Sequence, residues 1–272
     1  MELTRPRKRY ASDLNDIEWD IAEPFVRQLP GKGRKRTINI REILNAIFYI
    51  NKTGCQWHML PHDFPDYRHV NYYYCLWRRK GIWDALLDAL RRDIRIAEGR
   101  DPEPSGAILD SQSVKTDQYG EERGYDGGKQ VKGRKRHMVV NTLGLLLFVL
   151  VTSASVQDRD GGVDLCDDVQ QKAPRVQKIW ADSAYRGELV EYVQKYCRFV
   201  LEIVKKPPEQ RGFQVHPLRW IVERSLGWLN WYRRLSKDYE KTVESSETMV
   251  KIANIRIMLR RLVSDIYPMF NI

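Results

Sequence analysis

The chain is poor in the features that mark membrane, secreted and zinc-finger proteins. Across its 272 residues no apolar run approaches the roughly 18 residues of a membrane-spanning helix. The longest, 143–152, is broken by Gly144 and reads as a strand. The opening MELTRPRKRY carries charge with no apolar segment behind it, so no secretory signal is expected. Four cysteines, Cys55, Cys75, Cys166 and Cys197, stand far apart with no C-x-x-C pair. This argues against a zinc site or a disulfide framework and predicts reduced thiols in a cytoplasmic protein. Histidine is also scarce. His58, His62 and His69 share one stretch, but no cysteine or carboxylate spacing beside them supports a metal. Low-complexity tracts are missing. What is present is an apolar fraction of 42%, enough for a core, and a net charge of +10. That surplus favours a polyanionic partner.

Residues 1–98 read as helical. Apolar spacing predicts a helix over 13–26 with Asp13 as N-cap, a basic loop GKGRKR at 31–36, and a helix over 37–51 stopped by Gly54. Pro61 and Pro65 punctuate a loop before helices over 66–80 and 82–97. Helix, loop, proline-containing turn and an aromatic, basic helix suit a helix-turn-helix-like DNA-binding domain. GRDPEPSG (99–106) reads as a linker. From 107 to 272 the texture changes. Strands are expected over 107–115, 136–141, 145–153, 177–182 and 198–205, the second and third forming a hairpin about Thr-Leu-Gly. Helices are expected over 164–172, 188–196, 217–232 and 247–263. This order describes an α/β, ribonuclease-H-like mixed-sheet catalytic domain. The pentapeptide KGRKR occurs at 32–36 and 132–136 with different flanks, so it reads as one phosphate-binding solution used twice.

Three carboxylates stand out. Asp110 closes Ala-Ile-Leu in GAILDSQSVK, and Asp182 closes Ile-Trp-Ala in KIWADSAYRG. Both sit at strand ends, where oxygens from separate strands can meet at one sheet edge. Glu223 lies in the helical stretch PLRWIVERSLGWLNWYRR. At 100° per residue, Arg219, Glu223, Asn230 and Arg234 fall within roughly 60° of one another. Phosphodiester chemistry needs hard cations held by shared oxygens, and three acids in a basic chain suit magnesium. Glu223 alone has a plainer explanation, a pair with Arg219 at i−4. Asp117, Asp126, Asp158, Asp160 and Asp164 fall mostly in apparent loops and rank lower.

Phosphate contacts are expected from Lys115 and from Lys132, Arg134, Lys135 and Arg136 near the acidic edge, from Arg34, Lys35 and Arg36, and from Arg219 and Arg234. The helix over 66–80 offers Arg68, Asn71, Arg78 and Arg79 for duplex recognition. The stretch RPRKR at 5–9 reads as a basic arm or a solvated tail. Trp180, Trp220, Trp228 and Trp231 are expected to pack between sheet and helix. The last helix carries a stripe of Ile255, Met258, Leu259 and Leu262 for core packing or a subunit contact.

DSQSVKT, KGRKRHMVVNTLGLLLFV, SVQDRDG, WADSAYRG and VERSLGWLNWYRRLSKDYE together resemble the DDE transposases of bacterial insertion sequences, in the group named after insertion sequence five. RYASDLNDIEWDIAEPFV and REILNAIFYINKTGCQWHMLPHDFP resemble that group's N-terminal domain, so the likeness covers about 10–263. The resemblance implies Asp110, Asp182 and Glu223 as catalytic, metal-holding acids. It implies Mg²⁺ as two ions, with Mn²⁺ as a substitute. It implies cleavage at terminal inverted repeats of double-stranded DNA and strand transfer into target DNA. A bacterial cytoplasmic protein, working as a dimer or higher assembly on DNA, follows. The broader family shows Tyr, two residues, Arg, three, Glu, six, Lys. Arg219 and Glu223 fit, whereas His216 and Asn230 stand at the Tyr and Lys positions. Two other readings stay open: a transposase-derived DNA-binding regulator, and a host nuclease on the same fold.

Overall fold

The computed structural model describes residues 7–27, 38–117, 120–204 and 217–263. Helix α1 (Asp16–Val26) begins later than Asp13 suggests, because Asn15 is its cap. The Asn15 side chain accepts the Glu18 N–H at 2.8 Å, and the Glu18 carboxylate accepts the Asn15 N–H at 2.9 Å. This reciprocal box satisfies amides that a helix start leaves open. Asp13 instead grips Arg7 at 2.7 and 3.0 Å. Arg7 also bonds Glu42 at 2.6 Å and lies 4.2 Å over the Phe64 ring, so the basic arm is tied down there.

Helix α2 (Ile40–Thr53) stops at Gly54, which takes the left-handed φ of +74°. The connection to α3 (Tyr67–Arg79) includes a 3₁₀ turn, Trp57–Met59, and is longer than the three- or four-residue turn of a compact helix-turn-helix. Asp66 caps α3 by accepting the Arg68 N–H at 2.9 Å. Helix α4 (Ile82–Ala97) completes the layer.

The sheet is built from β1 (Gly106–Lys115), β2 (Gly124–Asp126), β3 (Val131–Asn141), β4 (Leu146–Ser153), β5 (Lys178–Ala181) and β6 (Val200–Ile203). Its order is β2-β3-β1-β5-β6, with β4 pairing β3. Strand β3 begins at Val131, not 136, because KGRKR pairs with the far end of β1: Lys115 lies opposite Gly133 and Ser113 opposite Lys135. Antiparallel β3 and β4 on one side of β1, and parallel β5 and β6 on the other, make the ribonuclease-H-like mixed sheet. Helix α5 (Asp158–Lys172) starts six residues earlier than expected and takes Asp158 and Asp160 into its first turn. Helices α6 (Glu188–Tyr196), α7 (Pro217–Leu229) and α8 (Val243–Val263) follow.

One face of the sheet packs on α5 and α6 through Ala107, Leu109 and Val139. The other shares a single hydrophobic cluster with α1–α4, α7 and α8 through Ile108, Met138 and Val140. Helix α8 is buried on almost every side from Met249 to Leu259, so its apolar stripe is used inside the chain. Its Arg256 pairs with buried Glu18 at 2.5 Å. Trp180 and Trp228 are partly buried, but Trp220 and Trp231 are 43% and 47% exposed, against the expectation that all four pack.

Candidate active site

Side chains alternate across a strand. Ile108 faces α7 and α8 while Leu109 faces α5 and α6, so Asp110 falls on the α7 face and Ser111 on the other. Strand β5 lies parallel to β1 with Ile108 opposite Trp180 and Leu109 opposite Ala181, which brings Asp182 next to Asp110. Adjacent strands lie about 4.8 Å apart. Strand β5 ends at Ala181, and Asp182 caps a 3₁₀ turn, Ser183–Tyr185, by accepting the Ala184 N–H at 2.9 Å. Helix α7 crosses this face. Asp110, Asp182, Trp180, Arg219 and Val222 line one small cavity beneath it.

The Asp110 carboxyl is pushed up to about 6, chiefly by burial and further by the charge of Asp182. The Ser111 N–H at 2.7 Å and the cations of Lys129 and Arg219 oppose the rise without cancelling it. Glu223 comes from α7, half exposed, with its carboxylate 3.2 Å from Arg219. Among the described residues, no three His, Cys, Asp or Glu side chains stand close enough to share a metal ion. Asp110 and Asp182 nonetheless fit a hard divalent cation. They offer carboxylate oxygens from β1 and from the turn that follows β5, and the ionised form of Asp110 is under-compensated.

Across the sheet, a second acidic pair meets its partners. Asp158 accepts the Ser111 hydroxyl at 2.8 Å and the Lys135 ammonium at 2.9 Å. Asp126 accepts the Ser113 hydroxyl at 2.6 Å and the Gly128 and Lys129 amides at 3.0 Å each, with Lys135 at 3.6 Å. Burial alone would raise both carboxyls, but the hydroxyls and lysines outweigh it. Asp158 is lowered, and Asp126 comes down to about 2. Lys129 also reaches the Ser111 carbonyl at 3.4 Å. Neither Asp126 nor Asp158 was expected to hold structure, and Lys129 drew no expectation. The readable signals were two serines alternating with Asp110 in DSQS, and the Asp-Gly-Gly-Lys turn.

The expected phosphate contacts divide by burial. Lys115 and Lys132 are exposed. Arg134, Lys135 and Arg136 are buried at 0%, 4% and 0% exposure, because the basic run is a strand inside the sheet. Arg134 donates to the Glu121 carbonyl, to the Glu240 and Lys241 carbonyls at 2.9 and 2.7 Å, and meets Asp238 at 3.3 Å. Arg136 donates to the Leu235 carbonyl at 2.8 Å, and burial pushes its guanidinium down to about 10. These three side chains are spent on the fold and not offered to DNA. Arg234 also departs from expectation: α7 ends at Leu229, and Arg234 is buried in a 3₁₀ turn, paired with Glu240 at 2.6 Å. On α3, Arg68 and Arg79 are exposed, with Arg68 held by Asp66 at 2.9 Å. Asn71 and Arg78 are half-buried, Arg78 lying 5.7 Å over the Tyr74 ring. Arg34, Lys35, Arg36 and His216 lie outside the described residues.

A mixed sheet with paired carboxylates where its parallel strands end, covered by an acid-bearing helix, defines a ribonuclease-H-like α/β protein. Residues 101–257 match the family described as "Transposase DDE domain", and residues 14–87 match "Putative transposase of IS4/5 family". The chain therefore belongs to the DDE transposase family. It is 26% identical over 129 residues to the "Putative transposase for insertion sequence element IS402" of Burkholderia cepacia, covering 44% of this chain and 60% of that protein. It is 36% identical over 84 residues to "Uncharacterized protein y4sN" of Sinorhizobium fredii, covering 29% and 64%. A third relative, "Insertion element IS402 uncharacterized 16.2 kDa protein" of Burkholderia cepacia, is 30% identical over 118 residues, covering 41% of this chain and 78% of its own length. The chain thus spans less than two thirds of the first two relatives. No solved structure matches it significantly. Among the described residues, no helix is long and apolar enough to cross a membrane.

Proposed function

We propose that this chain binds the terminal inverted repeats of an insertion sequence, cuts DNA at the element ends and joins the freed 3′-hydroxyl strands to target DNA. The observation that carries the reading is the adjacency of Asp110, inside β1, and Asp182, just past the end of β5, with Asp110 held up to about 6. In this reading Asp110 and Asp182 hold Mg²⁺ or Mn²⁺, and Glu223 joins them after parting from Arg219. The bound metal supplies charge neutralisation at the scissile phosphate and activation of the attacking oxygen. Arg219, once released, is placed to take a phosphate oxygen through its planar fork. Residues 1–98 act as the end-binding part, with Arg68, Arg79 and Tyr72 of α3 exposed toward a duplex. Residues 107–272 act as the catalytic part. Cutting two ends together calls for at least two copies of the chain on the DNA.

The test uses purified protein, labelled DNA carrying candidate inverted repeats, and Mg²⁺. Wild type is expected to nick and join, and Asp182→Asn to bind without nicking. Wild type that binds yet never nicks or joins contradicts the enzyme and leaves the regulator. Nicking that persists in Asp182→Asn contradicts the acid pair.

A further inference from the structure

Exposed lysines of β1 and β3 meet further cations in a second place. Lys115, Lys132, Arg123 and Lys237 line a groove of about 430 Å³ together with the Tyr125 ring. Its remaining lining residues are neutral, and no carboxylate lines it. Lys115, Lys132 and Lys237 make no ion pair among the described residues, in contrast to Lys135, three residues beyond Lys132 on β3. Tyr125 is 57% exposed on the short strand β2, directly opposite Lys132.

The groove is built into the fold. Gly133 meets Lys115 in the β1–β3 register and Gly124 in the β2–β3 register. A Cβ on Gly133 would lie 2.0 Å from the Val114 carbonyl oxygen, so only glycine allows β1 and β3 to approach this closely. Beneath, buried Arg134 ties the Glu121 and Glu240–Lys241 carbonyls to β3, which holds the surrounding walls together. Lysines gathered around one groove repel one another and attract an anion.

We infer that this groove binds an unpaired DNA strand, its phosphates on the lysines and one base stacked on Tyr125. The inference rests on the proposed DNA-cutting function, because cutting frees strand ends from pairing. Asp110 and Lys115 lie five residues apart on β1, about 16 Å at strand rise. An exposed ring among cations suits an unstacked base, since the bases of an intact duplex already stack on each other.

The experiment measures binding of the full chain to a 20-nucleotide oligothymidylate and to a 20-base-pair duplex across a salt series, with Mg²⁺-dependent nicking assayed on the same samples. Lys115→Ala/Lys132→Ala/Lys237→Ala is expected to weaken single-strand binding at least tenfold and to flatten its salt slope by about 2. Tyr125→Ala is expected to weaken single-strand binding roughly five- to hundredfold and leave duplex binding unchanged, with Tyr125→Phe behaving as wild type. Unchanged single-strand affinity and slope in the triple variant overturn the groove, as does equal loss on both DNAs in Tyr125→Ala. If those results come with normal nicking by wild type, the groove alone falls. If the groove variants behave as expected but wild type never nicks, the proposed enzyme falls and the groove stands. A wild type that binds neither DNA removes both. Unaltered thermal melting of these surface variants confirms that each has folded.

Discussion

Acids gather on both faces of strand β1, and the two faces treat them in opposite ways. On the α5 face, Asp126 and Asp158 are met by Ser111, Ser113, Lys129 and Lys135, and both carboxyls fall below their ordinary range. On the α7 face, Asp110 and Asp182 lie beside each other, and Asp110 rises to about 6. Burial raises the carboxyls on both faces, most strongly at Asp110, and the partners push the two faces further apart. A buried acid with its partners present holds structure. A buried acid beside another acid, short of cations, costs stability that an added cation or a bound proton recovers. The contrast separates the candidate metal site from its neighbours without reference to motif.

The largest expected effect is on rate. Asp110→Asn or Asp182→Asn should slow Mg²⁺-dependent nicking about a thousandfold or more, equivalent to about 4 kcal/mol of barrier. Asp126→Asn, measured on folded protein, should stay within about tenfold of wild type, roughly 1.4 kcal/mol. Equal losses from both pairs would erase the distinction. Next comes stability. Asp158→Ala leaves Lys135 buried beside fewer partners and should cost about 3 kcal/mol in urea unfolding. The folded Asp158 carboxyl is lowered, so its contribution is present above pH ~4 and fades as pH falls through the folded value. The deficit of the variant should therefore shrink in acid.

Asp110 has the opposite sign. Its folded value of about 6 exceeds the ordinary 3.8, so its relative stabilisation is full below pH ~4 and lost as pH rises past ~6. Asp110→Asn should unfold at higher urea than wild type at pH 8, by up to about 3 kcal/mol, and lose that advantage at pH 4. A variant that is weaker at pH 8 would place Asp110 among the structural acids. The smallest effect belongs to the exposed pair on α7. Arg219→Ala should change stability by less than about 1 kcal/mol, because a half-exposed i,i+4 pair contributes little.

Much of this was legible in the chain. Apolar spacing located α2, α3, α4 and α6 closely, and the texture change near 106 located the sheet. Asp110 and Asp182 were legible because each ends an apolar run, although only Asp182 follows a strand's end and Asp110 lies inside β1, which continues to Lys115. The basic run was misread for a reason in the same geometry. KGRKR looks like one patch, but as a strand it divides: Lys132, Arg134 and Arg136 share one face, where Lys132 near the strand's start stays exposed and Arg134 and Arg136 are covered and bond carbonyls far away in sequence. Lys135 reaches Asp158 in the same non-local way. The helical projection of 217–234 failed past Leu229, where the helix ends and Arg234 becomes the buried partner of Glu240. Periodicity describes one element at a time, whereas the Arg134 and Arg136 contacts join segments about a hundred residues apart.

The central claim is that the acids on the α7 face, and not those on the α5 face, take a divalent cation. Mn²⁺ binding by electron paramagnetic resonance tests it directly, on wild type, Asp110→Asn/Asp182→Asn and Asp126→Asn. Wild type and Asp126→Asn should bind Mn²⁺ alike, and the double variant should bind at least about tenfold more weakly, about 1.4 kcal/mol. Undiminished Mn²⁺ binding by the double variant, or its loss in folded Asp126→Asn, would contradict the claim.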